Sequence, residues 1–167
     1  MSAIYGNLAV TGNLQPTTIS QPANSVGDAN IQTPAAGASG IQTSKTNKRY
    51  HVGYDQPEGT PVVTESRIKF ITKGTAAVIL AVNAALKVAC IGAATITVDV
   101  RKNGTTILSS VLTFNSSTPI MTEETATLAT TTSAAGDIFE FVITATAGGG
   151  TIGQGLYAEM LIDEYPS

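Results

Sequence analysis

The sequence predicts an all-β protein, an eight-stranded antiparallel jelly-roll-type β-sandwich preceded by an extended N-terminal arm. Three observations carry this expectation. From Glu65 onward, short apolar–polar alternations follow one another, as half-buried strands require. Turn-forming residues separate them, Asn103-Gly104 being the clearest pair, because both tolerate positive φ. Residues 1–44, by contrast, hold one formal charge, Asp28, and are punctuated by Pro16, Pro22 and Pro34. Proline removes backbone donors, so neither helix nor core is expected there.

The arm carries a short repeat. Gly6-Asn7-Leu8-Ala9-Val10-Thr11 is followed at once by Gly12-Asn13-Leu14-Gln15-Pro16-Thr17, and Ile31-Gln32-Thr33 is echoed by Ile41-Gln42-Thr43. Two copies are too few to stack into a solenoid. Leu8, Val10, Leu14, Ile19, Val26 and Ile31 instead recur singly, as anchors do on an extended segment lying along another surface. A flexible polar tail has a similar composition. The spaced aliphatic residues favour ordering on assembly, and these six are the candidate binding residues of the arm.

Residues 45–61 read as a connector, which places the domain boundary between an arm and connector, 1–61, and a head, 62–167. Lys45, Lys48 and Arg49 cluster there in a pattern typical of a solvated linker. Tyr50, His51 and Tyr54 are amphipathic rings suited to a subunit contact, with the ring buried and the polar tip satisfied.

In the head, strands are expected at approximately 66–72, 77–82, 86–91, 94–101, 105–112, 124–130, 137–146 and 155–163. Arg67-Ile68-Lys69-Phe70-Ile71 alternates. Thr95 to Arg101 alternates more cleanly, with Ile96, Val98 and Val100 on one face. The stretch Ala76 to Ile91 is ambiguous. Val78, Val82 and Leu86 stand at helical spacing and alanine favours helix, while the contiguous aliphatics around Asn83-Ala84-Ala85 read equally as strand–turn–strand. The β context on both sides favours two strands. Gly148–Gly150 provides the last reversal before Leu156 to Ile162.

Composition restricts function. The chain of 167 residues is 43% hydrophobic but only 13% charged, about half the usual share of charge. Small and hydroxylated residues fill the gap, and they are covered by a partner at lower desolvation cost than charges. Net charge is −3 and the basic residues are scattered, so no nucleic-acid footprint is predicted. The apolar run Ala76 to Ile91, broken by Asn83 and Lys87, is too short for a membrane span. A signal peptide is not expected at this N-terminus, and synthesis in a reducing cytoplasm is.

Catalytic constellations are weak. Cys90 lies in the apolar run Val88-Ala89-Cys90-Ile91 and reads as a buried structural thiol. His51 is the single histidine, on a connector ill placed to orient a catalytic base, and it has no second His or Cys pair with which to hold a metal. Glu123-Glu124 are adjacent and would face opposite sides of a strand. Gly148 to Gly155 lacks the Lys and helix of a phosphate loop. No enzyme activity and no cofactor are therefore predicted.

The opening Gly-Asn-Leu repeat, Ser25-Val26-Gly27-Asp28-Ala29-Asn30-Ile31, the Tyr-His connector ending in Gln56-Pro57, the run Ala93 to Thr105 and the run Ala145 to Gly153 together carry a resemblance. The chain resembles small virion structural proteins of tailed bacteriophages, the cement or decoration and head-fibre-like proteins. The resemblance implies a homotrimer seated on the outer surface of the capsid, with the major capsid protein as partner and with no catalytic residue to carry over. The alternative it leaves open is a head-fibre or tail-fibre adhesin whose head touches host-surface glycans.

Overall fold

The computed structural model describes residues 47–165. They form ten strands and no helix: β1 (Lys48–Asp55), β2 (Glu65–Ile71), β3 (Ala76–Val88), β4 (Thr95–Lys102), β5 (Thr105–Thr106), β6 (Leu112–Phe114), β7 (Glu124–Thr125), β8 (Thr132–Ala134), β9 (Ile138–Thr146) and β10 (Gln154–Tyr165). One sheet runs β1-β10-β3-β7, with β8 also on β3; the other runs β2-β9-β4-β5, with β6 also on β4. All pairings are antiparallel.

If β5 and β6 count as one interrupted strand, and β7 and β8 as another, there are eight strand positions. Their order is 1-8-3-6 in one sheet and 2-7-4-5 in the other, the interleaving of a jelly roll. The fold class is as predicted, but two of the expected elements are not. Residues 77–82 and 86–91 are not two strands. Residues 77–82 and 86–88 belong to the single strand β3, which runs through Asn83-Ala84-Ala85 and ends at Val88, leaving Ile91 as an isolated bridge to Thr151. The eighth position is filled instead by β1, which pairs with β10 along its whole length. The sandwich therefore begins at Lys48, inside the expected connector, and the boundary at 61/62 is corrected accordingly.

The long strand has a physical reason for its misleading pattern. Ile162 pairs with Ile79 and Leu161 with Ala81, so Leu80 is an inserted residue at a β-bulge. The buried positions are consequently Ala77, Ile79, Val82, Ala84 and Leu86, in which the two-residue period skips once. A bulge likewise separates Ile68 from Phe70 in β2. It turns Phe70 inward and leaves Ile68 64% exposed, so those two do not share a face as plain alternation predicts.

The core lies between the sheets and is built by alternation. Ile96, Val98 and Val100 of β4, Phe139, Phe141 and Ile143 of β9, and Leu156, Ala158, Met160 and Ile162 of β10 are all buried. Aromatic rings bridge the layers. Tyr54 stacks on Phe141 at 5.7 Å and Tyr50 tilts against Phe70 at 5.4 Å across the layers, while Phe70 meets Phe139 at 6.2 Å within one sheet.

The Asn103-Gly104 turn forms as expected, with φ of 52° and 83°. It is bolted to the start of β9. The Asn103 side-chain oxygen accepts the N–H of Ile138 at 2.9 Å, and its amide donates to Asp137 at 2.7 Å. Asp137 also accepts the Ala134 N–H at 2.8 Å and the Ser133 hydroxyl at 3.2 Å, with Lys102 at 3.6 Å. The Ala134 N–H first, and then Asn103 and Ser133, hold the Asp137 carboxyl below the usual range against a smaller upward push from burial.

A depressed folded value means that the stabilisation is present above the unfolded Asp pKa, about 3.9, and is lost as pH falls through the folded value. Asp137→Asn should cost about 1–2 kcal/mol at pH 7. That difference should shrink at pH 3, as read from urea midpoints of both proteins at the two pH values. An equal difference at both would show that the charge is not what the turn uses.

Candidate assembly surface

Side chains of the β1-β10-β3 sheet that do not enter the core form a flat outer face. The strand registers set its rows: Arg49 beside Asp163 and Val78, His51 beside Leu161 and Ala81, Gly53 beside Glu159 and Asn83, and Asp55 beside Tyr157 and Ala85. A sheet with one wet face ordinarily alternates apolar inward with polar outward. The β4 strand obeys this rule, presenting Thr95, Thr97, Asp99 and Arg101 on its outer side.

The β3 strand does not. Its outward residues are Ala76, Val78, Ala81, Asn83 and Ala85, with Lys87, paired to Glu58, at the strand's end, and bulged Leu80 is 40% exposed. Tyr157 and Tyr165 of β10 are also open, at 48% and 38%. A central strand that is apolar on both sides is the signature of a sheet covered on both faces.

Two shallow hollows flank the Tyr157 ring. One, about 250 Å³, is lined by Asn83, Ala84, Ala85, Glu123, Tyr157 and Glu159. The other, about 300 Å³, is lined by Glu58, Ala85, Leu86, Lys87, Met121, Gly155 and Tyr157. The Tyr157 hydroxyl donates to Glu159 at 3.0 Å. Burial first, and then this bond, raise its pKa. The side-chain oxygen of Asn83 is buried without a hydrogen-bond partner.

Of the three residues expected at a subunit contact, the structure leaves one fully on this face. The His51 side chain is 66% exposed, with Nδ1 3.6 Å from Glu159. Tyr50 is half-buried against Phe70. Tyr54 is wholly buried inside its own sandwich, which corrects its expected role, since no ring surface is left for a neighbour.

The Tyr54 hydroxyl donates to Glu65 and accepts from the Gln56 amide at 2.5 Å, while Gln56 also clamps Val63 through both of its backbone polar groups. Burial, reinforced by Glu65, drives the Tyr54 pKa far up. The Tyr54 hydroxyl and Arg67 hold Glu65 low. This cluster locks β1 to β2. The arm residues Leu8, Val10, Leu14, Ile19, Val26 and Ile31 lie outside the described residues.

The glycine run acts as the expected reversal. Gly150 donates its N–H to Ala147 at 2.6 Å, and a Cβ placed on it would lie 2.0 Å from the Ile91 carbonyl oxygen. Cys90 is buried, its thiol 3.9 Å from the Phe114 carbonyl. Among the described residues no group of three or more His, Cys, Asp or Glu is arranged to hold a metal. No helix there is long and apolar enough to cross a membrane.

No protein-family model matches the chain, and no curated protein matches it. Among solved structures it is similar to a chain of the cyanophage Pam1 capsid asymmetric unit. The identity is 12% and the TM-score 0.47, over 84% of this chain and 99% of that one.

The residues of this face that the sequence does not single out are Ala81 and Leu161. The signal for Ala81 is the nearly uninterrupted apolar run of Ala76 to Ile91, which announces a doubly covered strand; Leu161, on β10, has no such run around it.

Proposed function

We propose that this chain is a non-enzymatic virion structural protein, a capsid cement or decoration protein that binds the assembled phage head from outside and bridges major capsid subunits. The observation that carries the reading is the contrast between residues 1–44, with one formal charge and single aliphatic anchors, and a rigid sandwich. Single aliphatic anchors on a nearly uncharged segment suit binding along a surface supplied by another molecule. A clamp that binds the lattice but not free subunits stabilises the lattice by mass action. A homotrimer would engage three arms together and multiply the effective affinity.

The test uses the intact chain and shells of the virus that encodes it, prepared without it. The protein should pellet with assembled shells, stay free of unassembled capsid subunits, and raise the temperature at which the shells come apart. Failure to pellet with shells would sink the proposal.

A second reading, a fibre adhesin for host glycans, draws on the half-exposed Tyr157 ring between two hollows lined with acceptors. Glycan binding by the intact chain, lost in Tyr157→Ala, would favour it.

A further inference from the structure

We propose that the outer face of the β1-β10-β3 sheet is a subunit contact, and that what covers it is the β2 edge of a second copy of this chain. The inference rests on the homotrimer proposed above and names its contact. The face needs a cover because Ala81, Leu80, Leu161 and Tyr157 present apolar surface where β4, on the same core, presents threonines and charges.

Charge selects the occupant. Around Tyr157 the face and its rim carry Asp55 and Glu123, which make no ion pair among the described residues, and Glu159, 3.6 Å from His51. The nearby cations Arg49 and Lys87 are taken up by Asp163 and Glu58. The complementary surface is on the molecule itself. The β2 strand is a sheet edge with β9 on one side only. It exposes Ile68 at 64% and Ile71 at 37%, with Lys69 between them and Lys73 just past the strand's end, and neither lysine makes an ion pair among the described residues.

An apolar strip carrying the unpaired cations Lys69 and Lys73 thus matches an apolar face on which Asp55 and Glu123 make no ion pair among the described residues. Opposite potentials of this kind fix partner and register more than they add affinity. Face and edge are different parts of the surface, so the contact is heterologous, and each copy offers one of each. Such contacts close into a ring when the rotation allows.

The experiment is sedimentation velocity on the full chain at low micromolar concentration. Wild type should sediment as a trimer. Leu161→Lys spoils the face and Ile68→Glu spoils the edge. Each should sediment as a folded monomer by circular dichroism, and Leu80→Lys, at an already exposed position, repeats the face test should Leu161→Lys fail to fold.

The decisive step is mixing. Equimolar Leu161→Lys and Ile68→Glu retain one sound face and one sound edge between them, and should form a one-to-one dimer. Monomeric wild type, a trimer untouched by either substitution, or a mixture that stays monomeric would each overturn the proposal. The readout involves no capsid. A trimer built in this way that ignores shells would sink the capsid role and leave the contact standing.

Discussion

Phe141→Ala is expected to lower the unfolding free energy by about 4 kcal/mol, within the range of about 3–5 for a fully buried phenylalanine. Phe141 is completely buried on β9, the strand flanked by β2 and β4, and its ring stacks on Tyr54 from the opposite sheet at 5.7 Å. Truncation removes the transfer energy of the ring and leaves a void that neighbours fixed by two ladders cannot fill. It also strips the stack from Tyr54, whose hydroxyl is held by Glu65 and Gln56 and so cannot follow.

Domains of this size are stable by only about 5–15 kcal/mol, so the loss is a large share of the total. Ile120→Ala, at a position 51% exposed and outside the proposed contact, should cost under about 0.5 kcal/mol. Urea unfolding of both variants measures the contrast. A Phe141→Ala cost below about 1 kcal/mol would mean that the two sheets are not clamped through this ring.

The fold was legible where one residue in two faces the core without interruption. Thr95 to Arg101 is such a strand, and the Asn103-Gly104 turn that ends it is set by local φ alone. Legibility failed where the two-residue period breaks. The bulge at Leu80 places Val82 and Leu86 inward but Val78 outward, so three residues that plain alternation would put on one face lie on two.

The β1 strand failed for a different reason. Tyr50, Val52 and Tyr54 alternate cleanly with Arg49, His51 and Gly53, yet paired tyrosines were read as an interface because their rings suit either environment. Short pieces such as β8, three residues long, carry no pattern of their own and are strands only because β3 lies alongside. The outer face was hidden in turn. An apolar residue on the uncovered side of a strand looks, in sequence, like any core residue.

Deleting residues 1–44 is expected to abolish attachment to capsid shells while leaving the head folded. The cut spares β1, so Val52 and Tyr54 stay in the core, and the circular dichroism of the head should be retained. A cut after residue 61, at the boundary the sequence suggested, removes the strand that pairs with all of Lys48–Asp55's partners on β10 and should unfold the sandwich. The two truncations therefore separate loss of binding from loss of fold.

If Leu14 anchors the arm on the shell as proposed, Leu14→Asp should cost about 1.5 kcal/mol in shell binding. If three arms engage together, the cost per trimer is about 4.5 kcal/mol, or roughly three orders of magnitude in shell affinity. A one-arm attachment would lose only about tenfold. Pelleting with shells across a concentration series distinguishes these outcomes. Full decoration by the 1–44 deletion would move the binding role from the arm to the head.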